Sequence, residues 1–500
     1  MNLATIIDGH DGGRPAVISR NQTTTYGELA DLVGRARGGL TRLGIGDGDR
    51  IGLVCTNGLP FVVVYLATLG VGAVAVPLTP SSPAAELEHQ LSRVDAAAVV
   101  VDQAAAAWAH VDRGRVPSLR AVVAADGATI DGSTSFADLI TGEPAPLAAV
   151  ASDHLAVLMF TSGTAGSPRA AMLTHGGMRA HLVHARSARD RLGPDDVTYG
   201  VIPLFHIFGL NVVLGASLFA GAAVLLVVRF DPATALESFR ARGVTAVPGA
   251  PAMWVAFSDF DDMPADAFAS VRLAYSGAAK LPLATSERLR DRFGLVVAEG
   301  YGLTEASPIV TSSSGLDVRP GSVGAVLDGI DMRIVDEHGD DTLVGDAGEI
   351  WIKGPNVFAG YLDDPEATSR VLTDDGWLRT GDIAYCDDDG RVYLVDRAKD
   401  LVIVSGFNVF PAEVEDVLVR HPDVVDVGVI GVPHPHTGEA VKAFVVVRPD
   451  ATLDADTLID FALDHLARYK CPSTIVFVDA LPRNSAGKLV RRQLEAALTP

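Results

Sequence analysis

Residues 161–169, TSGTAGSPR, gather hydroxyl side chains, two glycines, a proline and an arginine directly after the apolar run LAVLMF. Backbone N–H groups and the hydroxyls of Thr161, Ser162 and Thr164, with Gly163 and Gly166 keeping the path open, can surround phosphate oxygens. Arg169 adds a guanidinium able to make a bidentate contact. The spacing is not that of a Walker A loop, G-x-x-x-x-G-K-S/T, and an ordinary surface turn has a similar composition. In VAEGYGLTEASP (297–308), Thr304 can bond a phosphate, Glu305 can offer a carboxylate to Mg²⁺, and Tyr301 has a face on which a base could stack. GWLRTGDIA (376–384) carries Asp382, a carboxylate that can accept from two ribose hydroxyls or from its own turn. PRNSAGKLVRR (482–492) holds Lys488 in a glycine-containing segment that also reads as a solvated tail.

These groups need a frame, and the chain alternates segments of strand and helix character, the pattern of α/β layers. RIGLVCTN, LPFVVVYLATLGVG, AVAVPLTP, AAELEHQLSRV and AAAVVVD read in turn as strand, helix, strand, helix and strand. Asp131 to Asp153 reads as an irregular connection, and a second lobe is expected from about Leu155 to Val310. Short alternating segments between Val323 and Tyr393 predict a small β-rich subdomain. After DRAKD (396–400), PAEVEDVLVRHP, VVDVGVIGV, AVKAFVVV, DTLIDFALDHLARY and TIVFVD predict a compact α+β unit large enough to fold by itself. The fold class is α/β: a large N-terminal domain of two layered lobes plus the β-rich subdomain, then a mobile α+β domain. The expected boundary divides residues 1–396 from 397–500.

The chain has 500 residues, 48% apolar and 20% charged, which reads as globular. A net charge of −22 disfavours nucleic acid and anionic lipid as partners, so a phosphate site needs a local cationic pocket. Three widely spaced cysteines fit neither a disulfide scaffold nor a zinc site. The opening residues show no secretory signal. Val212 to Val228 falls just short of a membrane span, and Gly221 divides it into a helix and a strand. The expected location is the cytoplasm, with no integral membrane segment and with peripheral association at a membrane left open.

Taken together and in order, TSGTAGSPR, PLFHIFGL, SGAAKLP, GYGLTEASP, WLRTGDIA, VDRAKDLVIVSGFNVFPAEVE and PRNSAGKL resemble the adenylate-forming superfamily. It contains acyl-CoA synthetases, aryl-CoA ligases, peptide-synthetase adenylation domains and beetle luciferases. The likeness extends through TTTYGELADLVGRARGGLTRLGIGDGDRIGLVCTN and so covers essentially the whole chain, which looks most like bacterial fatty-acyl-CoA synthetases. The resemblance implies ATP, Mg²⁺ and coenzyme A, with Thr161 to Arg169 on the phosphates. Ser276, Gly277, Ala278, Gly300 and Tyr301 would flank the adenine, and Asp382 and Arg397 would hold the ribose. Thr304 would bond the α-phosphate and Glu305 would organise Mg²⁺. Lys488 would bridge the acid and the α-phosphate, Lys399 would be the hinge, and Ser405-Gly406 would meet the thiol of CoA. The phosphate loop departs from the family's T-S-G-T-T-G-x-P-K-G: Ala165 replaces a Thr, Arg169 a Lys and Ala170 a Gly.

The acid should face His206, Gly209 and Gly302. Amino-acid-activating relatives carry an acidic residue at the position of His206, so an amino acid is disfavoured. Gly209, Gly215, Ala216, Ala220 and Gly221 are read as room for an aliphatic chain. The expected activity is therefore fatty-acyl-CoA synthesis through acyl-AMP. An acyl-AMP ligase serving a carrier protein, an aryl-CoA ligase, and a degenerate member that binds nucleotide without turnover stand as alternatives.

Overall fold

Alanine and valine runs build the centre of the fold. Ala96–Val101 and Val74–Pro77 are buried at every position, as strands covered on both faces must be. The computed structural model describes all residues except 21, 162–167, 188–189, 261, 398–401, 405–406, 435–436, 467, 484–488 and 497–500. Two compact units emerge: Met1–Pro320 with Gly324–Asp331 and Lys353–Leu378, and Gly321–Val323 with Met332–Ile352 and Arg379–Pro500.

The first unit contains two sheets. A seven-stranded sheet runs Thr134–Ser135, Ala121–Ala124, Ala96–Val101, Arg50–Val54, Val74–Pro77, Leu155–Thr161, Arg169–Thr174, parallel except for its last pair. A nine-stranded sheet runs Ala325–Val326, Ile309–Ser312, Ala298–Gly302, Leu273–Ser276, Ala246–Gly249, Val197–Gly200, Ala223–Leu226, Pro15–Ser19, Gln22–Thr25. The expected lobe limits are therefore revised: the strand beginning at Leu155 joins the first sheet, and the N-terminal hairpin joins the second. Asn57 ties the two sheets together. Its Nδ2 donates to the carbonyls of Gly200 and Ile202, both at 3.0 Å, and its Oδ1 accepts from Leu204 N–H at 2.9 Å.

Local signals set the helices. Thr25 caps Tyr26–Arg42 through a reciprocal exchange with Glu28. The apolar run 212–228 divides where expected. A π-helix, Phe208–Gly215, continues as Ala216–Ala220 and stops at Gly221 with φ +78°, and the strand Ala223–Leu226 follows. A side chain at Gly221 would lie 2.9 Å from His10 Nδ1. Among the described residues no helix is long and apolar enough to cross a membrane.

The second unit holds a four-stranded sheet, Asp331–Val335, Gly348–Lys353, Leu378–Cys386, Val392–Arg397, which includes the predicted β-rich segments. It also holds the α+β fold. There Gly438–Val447 pairs antiparallel with Val424–His434 and parallel with Thr474–Phe477. The helices Pro411–Leu418 and Ala455–Leu463 contribute Val414, Leu418, Leu458 and Ala462 to its core.

Candidate active site

The phosphate-loop sequence connects two strands of a hairpin. Leu155–Thr161 and Arg169–Thr174 pair antiparallel, and Thr161 stands opposite Arg169 at the base of the connection. Ser162, Gly163, Thr164 and Gly166 lie outside the described residues. The guanidinium of Arg169 is committed on one side: Nε donates to Asp364 Oδ2 at 2.9 Å. Asp364 also caps the helix Pro365–Val371 by accepting from Ala367 N–H. Those two donors, Ala367 first, hold its carboxyl below the ordinary range.

Glu305 sits in the short turn Thr304–Ala306, which follows the strand Ala298–Gly302. Its Oε1 accepts from the Tyr361 hydroxyl at 2.8 Å, and its carbonyl accepts from Phe358 N–H at 2.8 Å. Buried Asn356 donates to Ala306 O at 2.9 Å, and buried Asn211 to Ser307 O at 2.8 Å, so the turn is held from two further sides. Gly302 is required: a methyl there would overlap the carbonyl oxygen of Pro308 on the paired strand. Thr304 and Glu305 are half-buried, and no group of three or more His, Cys, Asp or Glu able to hold a metal occurs among the described residues. A single half-exposed carboxylate suits Mg²⁺, which takes one or two protein carboxylates with phosphate oxygens and water.

The residues expected to flank the adenine lie on or just after two parallel neighbouring strands of one sheet, Leu273–Ser276 and Ala298–Gly302. Ser276 closes the strand Leu273–Ser276, is 4% exposed, and its Oγ has no partner among the described residues. Such an orphan costs about 1–3 kcal/mol and fits a position kept for a ligand. Ala278 adopts φ +71°, a sparsely populated backbone for a residue with a side chain, which marks constrained sites. Gly300 lies close against the Thr311 carbonyl, 2.9 Å from where its Cβ would be. Tyr301 is only 7% exposed, so its ring is mostly enclosed in the protein.

On the acid side, Phe208 N–H donates to His206 Nδ1 at 3.2 Å. That bond assigns the proton of the neutral ring to Nε2. Burial lowers the His206 pKa, so the ring is neutral at pH 7. The Phe208 ring lies 3.4 Å from where a Gly277 Cβ would be, which brings PLFHIFGL against SGAAKLP. The glycines read as room for a chain serve close packing instead. A methyl on Gly209 would overlap the Pro203 carbonyl, and Gly215 backs onto Leu182 and Asn211.

Asp382 and Arg397 belong to the second unit, as Cα partners on adjacent strands. Asp382 is buried within Leu378–Cys386 rather than in a turn, and the side chain of Arg397 lies outside what is described. Lys399, Ser405, Gly406 and Lys488 lie outside the described residues. The segment bearing Lys488 is anchored at both ends: Arg483 pairs with Asp426 at 2.7 Å and Arg491 with Glu415 at 2.7 Å. Tyr361 and Asp364 were not singled out in the sequence. The Asp364-Pro365 pair signals a helix start, but nothing local points to Arg169.

The chain matches the AMP-binding enzyme family over residues 7–362 and the AMP-binding enzyme C-terminal domain over residues 413–488. It is 36% identical to a propanoyl:CoA ligase of Mycobacterium tuberculosis whose acyl group carries a 7a-methyl-1,5-dioxo-octahydroindenyl ring system. That match covers 96% of this chain and 95% of the relative. It is 32% identical to 4-coumarate–CoA ligase 3 of Oryza sativa subsp. japonica, over 97% of this chain and 90% of the relative. Its structure superposes on ATP-bound MatB from Rhodopseudomonas palustris with a TM-score of 0.92 and 32% identity, covering 99% and 98% of the two chains.

Proposed function

The chain belongs to the AMP-binding enzyme family and is an AMP-forming acid–CoA ligase working through an acyl-adenylate; we propose that its acid is uncharged apart from its carboxylate and carries a ring. The observation that carries the substrate reading is the acid-side wall itself. A neutral His206 offers no anion to an ammonium group, the Phe208 ring supplies a flat face, and the glycines once read as room for a chain are spent on close packing. The ring-bearing acyl groups named for the Mycobacterium and rice relatives support the same choice. Fatty acids, the expectation from sequence, lose their structural support with those glycines.

The roles follow from charge. A carboxylate approaching the α-phosphorus meets another anion, and Mg²⁺ held at Glu305 would supply a Lewis acid for the phosphate charge. Thr304 bonds the α-phosphate, and Arg169 and Lys488 neutralise charge that develops in line. Ser276, Gly277, Ala278, Gly300 and Tyr301 frame the adenine, and Asp382 with Arg397 takes the ribose. Residues 397–500 turn about Lys399 between the half-reactions, exchanging Lys488 for Ser405-Gly406 at the thiol entrance.

A panel of hydroxycinnamic acids, fused-ring alkanoic acids and linear fatty acids, with ATP and Mg²⁺ and with CoA, an acyl carrier protein or neither, tests this by AMP release. Ring-bearing acids should be turned over fastest and in the presence of CoA. Preference for linear acids would restore the fatty-acid reading, and release only with a carrier protein would indicate an acyl-AMP ligase. No AMP with any acid would leave a binding-only member of the family.

A further inference from the structure

Glu305 stands on a turn of three residues, which by itself gives a carboxylate little support. Both ends of the residue are nevertheless held by one segment, 358–361: Phe358 N–H bonds its carbonyl and the Tyr361 hydroxyl bonds Oε1. That segment is an added edge on the hairpin strand Arg169–Thr174. Met172 N–H donates to Gly360 O, Ala359 N–H to Met172 O and Leu362 N–H to Ala170 O, each at 2.9 Å, and Ala171 bridges Tyr361. The phenol ring is enclosed by Phe358, with centroids 5.0 Å apart at 74°, and by the Arg169 guanidinium, 5.8 Å from its centroid. The Tyr361 hydroxyl is the donor of this bond and the Glu305 carboxylate the acceptor.

We infer that Tyr361 is a positioning residue for Glu305, held in place by the Arg169–Asp364 pair, so that the base of the phosphate hairpin and the metal-facing carboxylate form one piece. The inference rests on the reading that Glu305 organises the divalent ion. It also accounts for the arginine at a position where the family has lysine. A lysine ammonium gathers its three donors at one nitrogen, whereas a guanidinium presents separate donor edges to Asp364 and to a phosphate. The guanidinium gives Nε to Asp364, and its Nη groups have no partner among the described residues.

The test uses the full-length chain and the variants Tyr361→Phe and Arg169→Lys, with Mn²⁺ as the probe ion, followed by electron paramagnetic resonance in the presence of ATP. Removing an outer partner of a metal-ligating carboxylate typically weakens metal binding about 10- to 100-fold. Tyr361→Phe should raise half-saturating Mn²⁺ by about tenfold, leaving the thermal midpoint and metal-free ATP binding as they are. Arg169→Lys should shift the ion affinity in the same direction, less than additively with Tyr361→Phe. Native Mn²⁺ affinity in Tyr361→Phe, with or without a lowered midpoint, overturns the inference, as does full additivity of the two changes. If the parent chain forms no acid-dependent AMP, the functional reading fails, and the Mn²⁺ titration still decides the part played by Tyr361.

Discussion

At residue 302 a single methyl group decides whether the Glu305 turn can form. The strand Ala298–Gly302 and its partner Ile309–Ser312 approach so closely that a Cβ on Gly302 overlaps the Pro308 carbonyl. Overpacking of this kind costs about 1–3 kcal/mol, here applied directly to the turn. Gly302→Ala should lower the thermal midpoint by several degrees and sharply reduce adenylation; native values of both would show that the strands have slack. Lys488→Ala isolates a different contribution. Losing one donor to developing charge typically costs about 10²–10³ in rate, so acyl-AMP formation should fall by that much. Conversion of supplied acyl-adenylate to thioester should persist, and equal loss of both steps would contradict the role given to Lys488. Thr304 and Glu305 stand out in the sequence because one short run holds a hydroxyl suited to phosphate and a carboxylate suited to a metal side by side. Tyr361 does not, because its partner is 56 residues away; Asp364 is hidden likewise, 195 residues from Arg169.

At the scale of elements, alternation and helix punctuation were readable. The strand and helix segments between Arg50 and Val101 stand where their periodicity placed them, and Gly221 ends its helix as expected. Pairing across the chain was not readable. Nothing in Leu155–Thr161 says that it lies beside Val74–Pro77, and nothing in Pro15–Ser19 says that it joins Ala223–Leu226, because parallel partners are chosen by non-local packing. The glycines of the Phe208–Gly215 helix misled for a similar reason. Small side chains leave space in a sequence, while in the fold neighbouring backbone and side chains fill it. The proposed hinge also belongs at this scale. Lys399→Pro removes a backbone N–H and fixes φ, so it should cut thioester formation by more than about tenfold while acyl-AMP formation continues. A parallel loss of both half-reactions would argue against a hinge at that residue.

For the whole molecule, two buried histidines make stability depend on pH. His181, 3% exposed with neither ring nitrogen partnered among the described residues, is pushed down to about 4 by burial and then by His184. His175 is pushed down to about 4 by burial, then by His154 and the N-terminus. Unfolding returns both to about 6.5, so below that pH the unfolded chain binds more protons. Their contribution is complete above about pH 6.5 and is lost as pH falls toward 4, on the order of 3 kcal/mol for each residue. The urea midpoint should fall between pH 7 and 5, and His181→Leu should flatten that slope; a midpoint that rises on acidification contradicts the assignment.

With a net charge of −22, the chain needs local cations wherever it is to hold the ATP polyanion. In an acyl-adenylate mechanism, activation of the acid precedes, and is separable from, transfer to CoA. The most direct measurement is exchange of labelled pyrophosphate into ATP, without CoA, as a ring-bearing acid is added. Exchange that requires both the acid and Mg²⁺, and that disappears in Lys488→Ala, is the expected result. Exchange independent of acid, or thioester formation accompanied by ADP and phosphate in place of AMP and pyrophosphate, would contradict an acyl-adenylate mechanism.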